Sequence, residues 1–166
     1  LGAKYAMIER SLSIIGENED ETIVLGGLKI KPLVYKVGSG EVPEKVILNK
    51  FTLKDSKLCG IMYTGVDRHL LIHTCTMMNC KKSGIKTEGK AGGKIRMHDV
   101  RSINNGRSGY KHEKSALMEI ILSGTRSIFN ENLTRGKSKL HDNFLNREGR
   151  TVIVGPLTKK MLLEKS

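Results

Sequence analysis

Tryptophan is absent from this 166-residue sequence, and aromatic residues make up only 4% of it. Modules that read single-stranded RNA by stacking its bases need a local cluster of exposed aromatics. Phe51, Phe129, Phe144, Tyr5, Tyr35, Tyr63 and Tyr110 form none along the chain. Any contact with nucleic acid is therefore expected to be to phosphates and indifferent to sequence. Cysteine is scarce as well. Cys59, Cys75 and Cys80 are an odd number with no framework spacing, which argues for free thiols in a reducing compartment over a disulfide scaffold. No apolar run approaches the roughly 18 residues of a membrane span. The N-terminus lacks a signal-peptide pattern, so a soluble intracellular protein is expected. No internal repeat is apparent.

Acidic residues are what the second half lacks. Residues 1–80 carry ten Lys+Arg against nine Asp+Glu, and residues 81–166 carry nineteen against eight, which together give the formal charge of +12. Between Lys81 and Lys114 ten basic residues meet only Glu88, Asp99 and Glu113. A nearly neutral part joined to a strongly basic one implies a polyanion partner: nucleic acid, acidic lipid or acidic protein.

Hydrophobic spacing suggests the elements. Tyr5, Ile8, Leu12 and Ile15 recur at three-then-four spacing, which predicts an N-terminal helix over residues 1–16 that can serve as a docking element for self-association. Glu17 to Glu21 form an acidic turn. Thr22–Lys36 reads as extended, with Leu28, Ile30 and Val34 alternating against Lys29 and Lys31. Pro43 can open a short helix over Glu44–Phe51. Leu58–Thr64 and Arg68–Met78 read as two strands joined by a turn. Lys94–Ile103, Ser115–Ser123 and Arg150–Val154 read as further strands, with a helix over Ser127–Leu145 between the last two. Basic loops are expected at 80–93 and 104–114. The expected architecture is α+β: a mainly antiparallel sheet packed with a few helices, in one domain over residues 17–166.

Several constellations bear on chemistry. On a strand, His69, His73 and Cys75 share a face, and with Cys80 they are the nearest approach to a zinc site, although the spacing matches no usual pattern; a metal-free state is expected. Gly84 to Ala91 fits the opening of a phosphate loop, but Ala91 stands where magnesium needs Ser or Thr, and a strand pattern follows instead of a helix. Asp99 and Glu119 are a nuclease-like carboxylate pair only if adjacent strands bring them together. The reading that remains is a non-enzymatic binding protein without cofactor. Its polyanion-binding residues are Lys81, Lys82, Lys86, Lys90, Lys94, Arg96, Arg101, Arg107, Lys111 and Lys114, and its self-association residues are Tyr5, Ile8, Leu12 and Ile15.

The final order of strand (Ala116–Ser123), helix carrying Phe129 and Phe144, and strand (Thr151–Val154), after a short Pro-led helix and a long basic loop, resembles the matrix proteins of rhabdoviruses, particularly the short ones of plant-infecting members. The resemblance implies a viral structural protein of the host cytoplasm and the virion. Such a protein self-associates, condenses the nucleoprotein–RNA complex and contacts the acidic inner face of a membrane. A second resemblance is to plant-virus movement proteins, carried by Gly92–Arg101 with Gly155 downstream, and it implies sequence-independent RNA binding. A cellular RNA-associated module is the third reading.

Overall fold

The computed structural model describes residues 5–31, 45–65, 68–88, 92–112, 117–123, 128–130 and 152–154. Among these there is no helix, and the strands stack in parallel as a β-solenoid. Each coil contributes a short strand to one sheet and a longer path to a second. The short sheet holds β1 (Ala6–Ile8), β4 (Leu28–Ile30), β6 (Ile61–Tyr63), β8 (Ile85–Thr87) and β11 (Tyr110–His112), all parallel. The long sheet has two limbs. Its first limb runs through β2 (Leu12–Ile15), the start of β5 (Lys45–Lys54), the start of β7 (Arg68–Met78), β9 (Gly92–His98) and β12 (Leu117–Ser123). Its second limb runs through β3 (Ile23–Leu25), the ends of β5 and β7, β10 (Arg101–Ile103) and β13 (Ile128–Asn130). At the far end β14 (Val152–Val154) lies antiparallel to β12.

Two stacked corners recur along the solenoid. Between the limbs, Lys50, Thr74 and Asp99 have φ of 57°, 48° and 51°. Where the second limb ends, Gly26, Asp55, Asn79 and Asn104 have φ of 108°, 57°, 54° and 53°. Glycine, Asp and Asn enter this left-handed region most readily, so the second corner is written in residue types suited to it. One residue in this conformation interrupts the alternation of a strand, and the inward set changes parity across it. Ile95 and Met97 therefore point inward before Asp99, and Val100 points inward after it.

The core lies between the sheets as rows of like residues. Val46, Leu70, Ile95 and Ile120 form one row, and Leu48, Ile72, Met97 and Leu122 the next. Leu28, Ile61, Ile85 and Tyr110 face them from the short sheet. Burying each such side chain contributes about 1.5–3 kcal/mol. Outside, the acidic turn folds over the second limb. The main-chain oxygen of Glu19 accepts from Thr52 Oγ1 at 2.8 Å, and its carboxylate accepts from Thr76 Oγ1 at 2.5 Å.

The α+β expectation is thus corrected to an all-parallel solenoid with one antiparallel strand pair among the described residues. The three-then-four spacing of Tyr5, Ile8, Leu12 and Ile15 comes from two strands, β1 and β2, separated by a corner, not from a helix. Glu44–Phe51 falls largely in β5 rather than in a helix. Leu58–Thr64 and Arg68–Met78 do contain β6 and β7, but these belong to different sheets and do not form a hairpin. The basic loops at 80–93 and 104–114 each contain a short-sheet strand, β8 and β11. Of the predicted helix over Ser127–Leu145, Ile128–Asn130 is strand, and residues 131–145 lie outside the described residues.

An internal repeat is also present. Register aligns Ile61 with Ile85 and Ile85 with Tyr110, steps of 24 and 25 residues. The turn Asp55-Ser56-Lys57-Leu58-Cys59-Gly60 recurs as Asn79-Cys80-Lys81-Lys82-Ser83-Gly84 and as Asn104-Asn105-Gly106-Arg107-Ser108-Gly109. The closing glycine is required by close approach. A Cβ on Gly84 would meet Ser102 Oγ, and one on Gly60 would lie 2.8 Å from the Gly84 oxygen. One polar side chain ties adjacent turns together inside. Asn105 accepts from the Cys80 N–H at 3.0 Å and donates to the Met77 oxygen at 3.3 Å and to Ser102 Oγ at 3.2 Å. Asn105→Ala strands these fully buried groups without their partner, so equilibrium urea unfolding should show a loss of about 3 kcal/mol.

Candidate polyanion-binding ladder

The repeated turn stacks on itself through its own backbone. Lys81 N donates to the Ser56 oxygen at 2.8 Å and Lys82 N to the Leu58 oxygen at 2.9 Å. One coil further, Gly106 N donates to the Cys80 oxygen at 2.8 Å and Arg107 N to the Lys82 oxygen at 3.1 Å. These bonds hold successive turns at the spacing of neighbouring strands, about 4.8 Å. The side chains at the third and fourth positions of each turn are consequently brought into line. Lys57, Leu58, Lys81, Lys82, Gly106 and Arg107 line an open groove of about 380 Å³. Lys57, Lys81, Lys82 and Arg107 are exposed along it, as two adjacent columns, Lys57–Lys81 and Lys82–Arg107, that follow the stacking of the coils.

Three of the ten predicted cations, Lys81, Lys82 and Arg107, belong to this ladder. The others are distributed over different faces. Lys86 and Lys111 lie in one register row on the outside of the short sheet, where Lys86 Nζ is engaged by Glu88 at 3.0 Å. Lys94 and Arg96 stand on the outside of the first limb, and Arg101 continues the row of Thr52 and Thr76 on the second. Lys90 and Lys114 lie outside the described residues. Lys57 was not foreseen, because it sits in the nearly neutral half of the sequence. The signal for it is the turn itself, in which Lys57 occupies the position of Lys81 one coil later.

The four residues weighed as metal ligands are not brought together. Thr74 adopts its left-handed corner between His73 and Cys75, so the imidazole stays outside while the thiol is buried. Cys80 is buried in the next turn. Among the described residues no three His, Cys, Asp or Glu side chains gather as a metal site. His73 instead stacks on His98 of the next coil, ring centroids 4.8 Å apart. His73 Nδ1 lies 2.9 Å from Thr74 Oγ1, and His98 Nδ1 lies 3.0 Å from Ser123 Oγ. Asp99 lies beside this stack, 3.5 Å from His98 Nε2, while Glu119 pairs in register with Lys94, so the two are not neighbours in register. In the expected self-association set, Ile8 is part of the core and the Tyr5 hydroxyl accepts the Cys59 N–H at 3.0 Å, whereas Leu12 and Ile15 are exposed. The chain matches no family model, no curated protein and no solved structure.

Cys59, Cys75 and Cys80 are free and buried. Burial pushes the thiols of Cys75 and Cys80 from 9.0 up to about 12. The sign follows from the unfolded chain: above pH 9 its thiols ionise while the folded ones stay protonated, so the folded state binds more protons and stability falls as pH rises. Each thiol removes about 1.4 kcal/mol per pH unit between those limits. Urea unfolding at pH 8 and pH 10 should differ by about 3 kcal/mol, and Cys75→Ala should reduce the difference by about half.

Proposed function

We propose that the protein is a non-enzymatic binder of linear polyanions, with the RNA phosphate backbone as its ligand, held without regard to sequence along the Lys57–Lys81–Lys82–Arg107 ladder. The observation that carries this reading is the alignment of those cations by coil stacking. Two adjacent short columns of cations along one groove, Lys57–Lys81 and Lys82–Arg107, suit a polymer chain lying along the axis, whereas a membrane surface calls for cations spread across a plane. The absence of aromatic side chains from the groove lining supports contact with phosphates over stacking on bases. In the element order behind the rhabdovirus matrix reading, the Pro-led helix is strand β5 and Phe129 lies in strand β13, while residues 131–151 lie outside the described residues. What carries over from it is the affinity for a ribonucleoprotein's negative charge.

The test is a salt titration of binding to poly(U), with heparin and phosphatidylserine vesicles as parallel arms. Binding should weaken steeply with salt and be equal for RNAs of unrelated sequence. Lys81→Ala, Lys82→Ala and Arg107→Ala together should lower the slope of log K against log salt by about 2, since each phosphate contact on a single strand contributes about 0.7. Lys86→Ala with Lys111→Ala, on another face, should leave it unchanged. A flat salt response, or a triple variant that binds as the parent does, overturns the reading. Preference for vesicles over both polymers moves the ligand from RNA to lipid.

A further inference from the structure

Asn105-Gly106 is the only Asn-Gly pair in the sequence, and it occupies the second and third positions of a ladder turn. A glycine N–H is the least hindered main-chain nucleophile that can follow an asparagine amide, because no Cβ blocks its approach. Stacking of the coils requires both members. A Cβ on residue 106 would lie 2.5 Å from the Lys81 oxygen, so the stacked turn admits only glycine there. Residue 105 must offer an acceptor to the Cys80 N–H and donors to the Met77 oxygen and Ser102 Oγ, a set that an amide side chain supplies. The corresponding pairs in the two preceding turns are Ser56-Lys57 and Cys80-Lys81, and neither carries an amide side chain.

The contacts that require this pair also keep it from reacting. Asn105 is fully buried, and Ser102, which accepts from its Nδ2, is itself anchored by donating to the Gly109 oxygen at 2.8 Å. The Gly106 N–H donates to the Cys80 oxygen at 2.8 Å. Cys80 therefore holds both reactants, the amide through its N–H and the nucleophile through its carbonyl. For the Gly106 nitrogen to reach the side-chain carbon of Asn105, that side chain must leave its internal bonds and the turn must lift from the Cys80–Lys82 turn.

We propose that Asn105 is a modification site gated by opening of its ladder turn, whatever the ladder binds. In the open turn the Gly106 nitrogen attacks Cγ of Asn105. The new C–N bond closes a succinimide ring, the Cγ–Nδ2 bond breaks, and Nδ2 leaves as ammonia with the proton given up by Gly106. Water then opens the ring at either carbonyl to give aspartate or isoaspartate, and no oxidant or reductant is needed. Neither product restores the turn. A carboxylate at position 105 only accepts, so the Met77 oxygen loses its donor and faces a negative charge. Isoaspartate carries the main chain through the former side chain, which withdraws that side chain from its bonds and lengthens the backbone before Arg107. The Arg107 N–H bond to the Lys82 oxygen, which keeps the Lys82–Arg107 column in line, then loses its register.

The test is peptide mapping by mass spectrometry of the full chain held at pH 8, folded in buffer and unfolded in urea. In urea, Asn105 should convert ahead of Asn18, Asn79 and Asn104, which are followed by Glu19, Cys80 and Asn105. In the folded chain its conversion should be about 100-fold slower or more, because the reaction tracks the small population of the open turn. Ser102→Ala removes one bond to Asn105 and leaves the reacting pair intact, so it should speed conversion in buffer and leave the rate in urea unchanged. Ile120→Val, a core change in the first limb, should alter neither rate. The variant Asn105→Asp reproduces one product and should unfold at a lower urea concentration than the parent. Equal rates in buffer and urea, another asparagine converting first in urea, or an Asn105→Asp chain as stable as the parent overturns the proposal. Conversion sped as much by Ile120→Val as by Ser102→Ala places the gate in global unfolding and overturns it too. Should Ser102→Ala fail to fold, the parent's two rates and Asn105→Asp decide.

Discussion

The fold depends on one backbone constraint: the three central coils bend at the same two phases, and at both they bend through a left-handed residue. A non-glycine residue held there costs on the order of 1–3 kcal/mol and persists only where its surroundings over-determine it. The second corner lightens that cost with Gly26, Asp55, Asn79 and Asn104. The first corner does not, because it places Lys50 and the β-branched Thr74 in the same conformation. What holds Lys50 and Thr74 is the parallel ladder on either side, in which Asn49 is registered with His73 and Phe51 with Cys75. The corners in turn decide which side chains reach the core. A parity change at Thr74 puts Cys75 inside while His73 stays outside, and one at Asp99 does the same for Val100.

That dependence explains how much could be read from the sequence. Local alternation was legible. Arg68–Met78 has the bounds of β7, and Leu28 with Ile30, or Ile95 with Met97, point inward as their pattern implies. Partnership was not legible, because it rests on matching residues some 24 positions apart. The repeat that would have revealed it is uneven. The register steps in the short sheet run from 6 to 28, 28 to 61, 61 to 85 and 85 to 110, and the second step takes in residues 32–44. The most regular signal is the small turn that ends in Gly60, Gly84 and Gly109, whose hydrophobic content is too low to stand out in a scan for periodicity. The apparent helix at Tyr5–Ile15 arose from a related difficulty. Two short strands around a corner mimic helical spacing when the corner's length makes up the difference.

The candidate site shows the same division. Lys81, Lys82 and Arg107 were conspicuous as charges, but nothing in composition says which basic residues share a face. Coil register separates them from Lys86, Lys94 and Arg101 and adds Lys57, a residue that the charge map assigns to the neutral half. Net charge thus suggested a class of partner, and topology shows which basic groups share a face. The matrix-protein likeness illustrates the converse: element order carries little weight when the elements themselves are assigned from local spacing.

Stacking like residues has a different consequence inside the solenoid and outside it. Inside, a row such as Val46, Leu70, Ile95 and Ile120 gains from each added coil. Outside, a row of cations at about 4.8 Å repels itself by roughly 0.9 kcal/mol per neighbouring pair even at the dielectric of water. The turn moderates this, since Gly106 stands where a third coil would add another lysine and Leu58 where it would add another cation. The remaining repulsion is removed by whatever neutralises the row, so a bound polyanion and the coil stacking favour each other by linkage. In a quasi-linear fold each coil is stabilised mainly by its neighbours. Among the described residues the Lys81–Lys82 turn at the centre of the ladder has a neighbour on both sides and can bear that repulsion. The first coil carries no cation in the ladder, and the large apolar side chains left exposed among the described residues all lie on it.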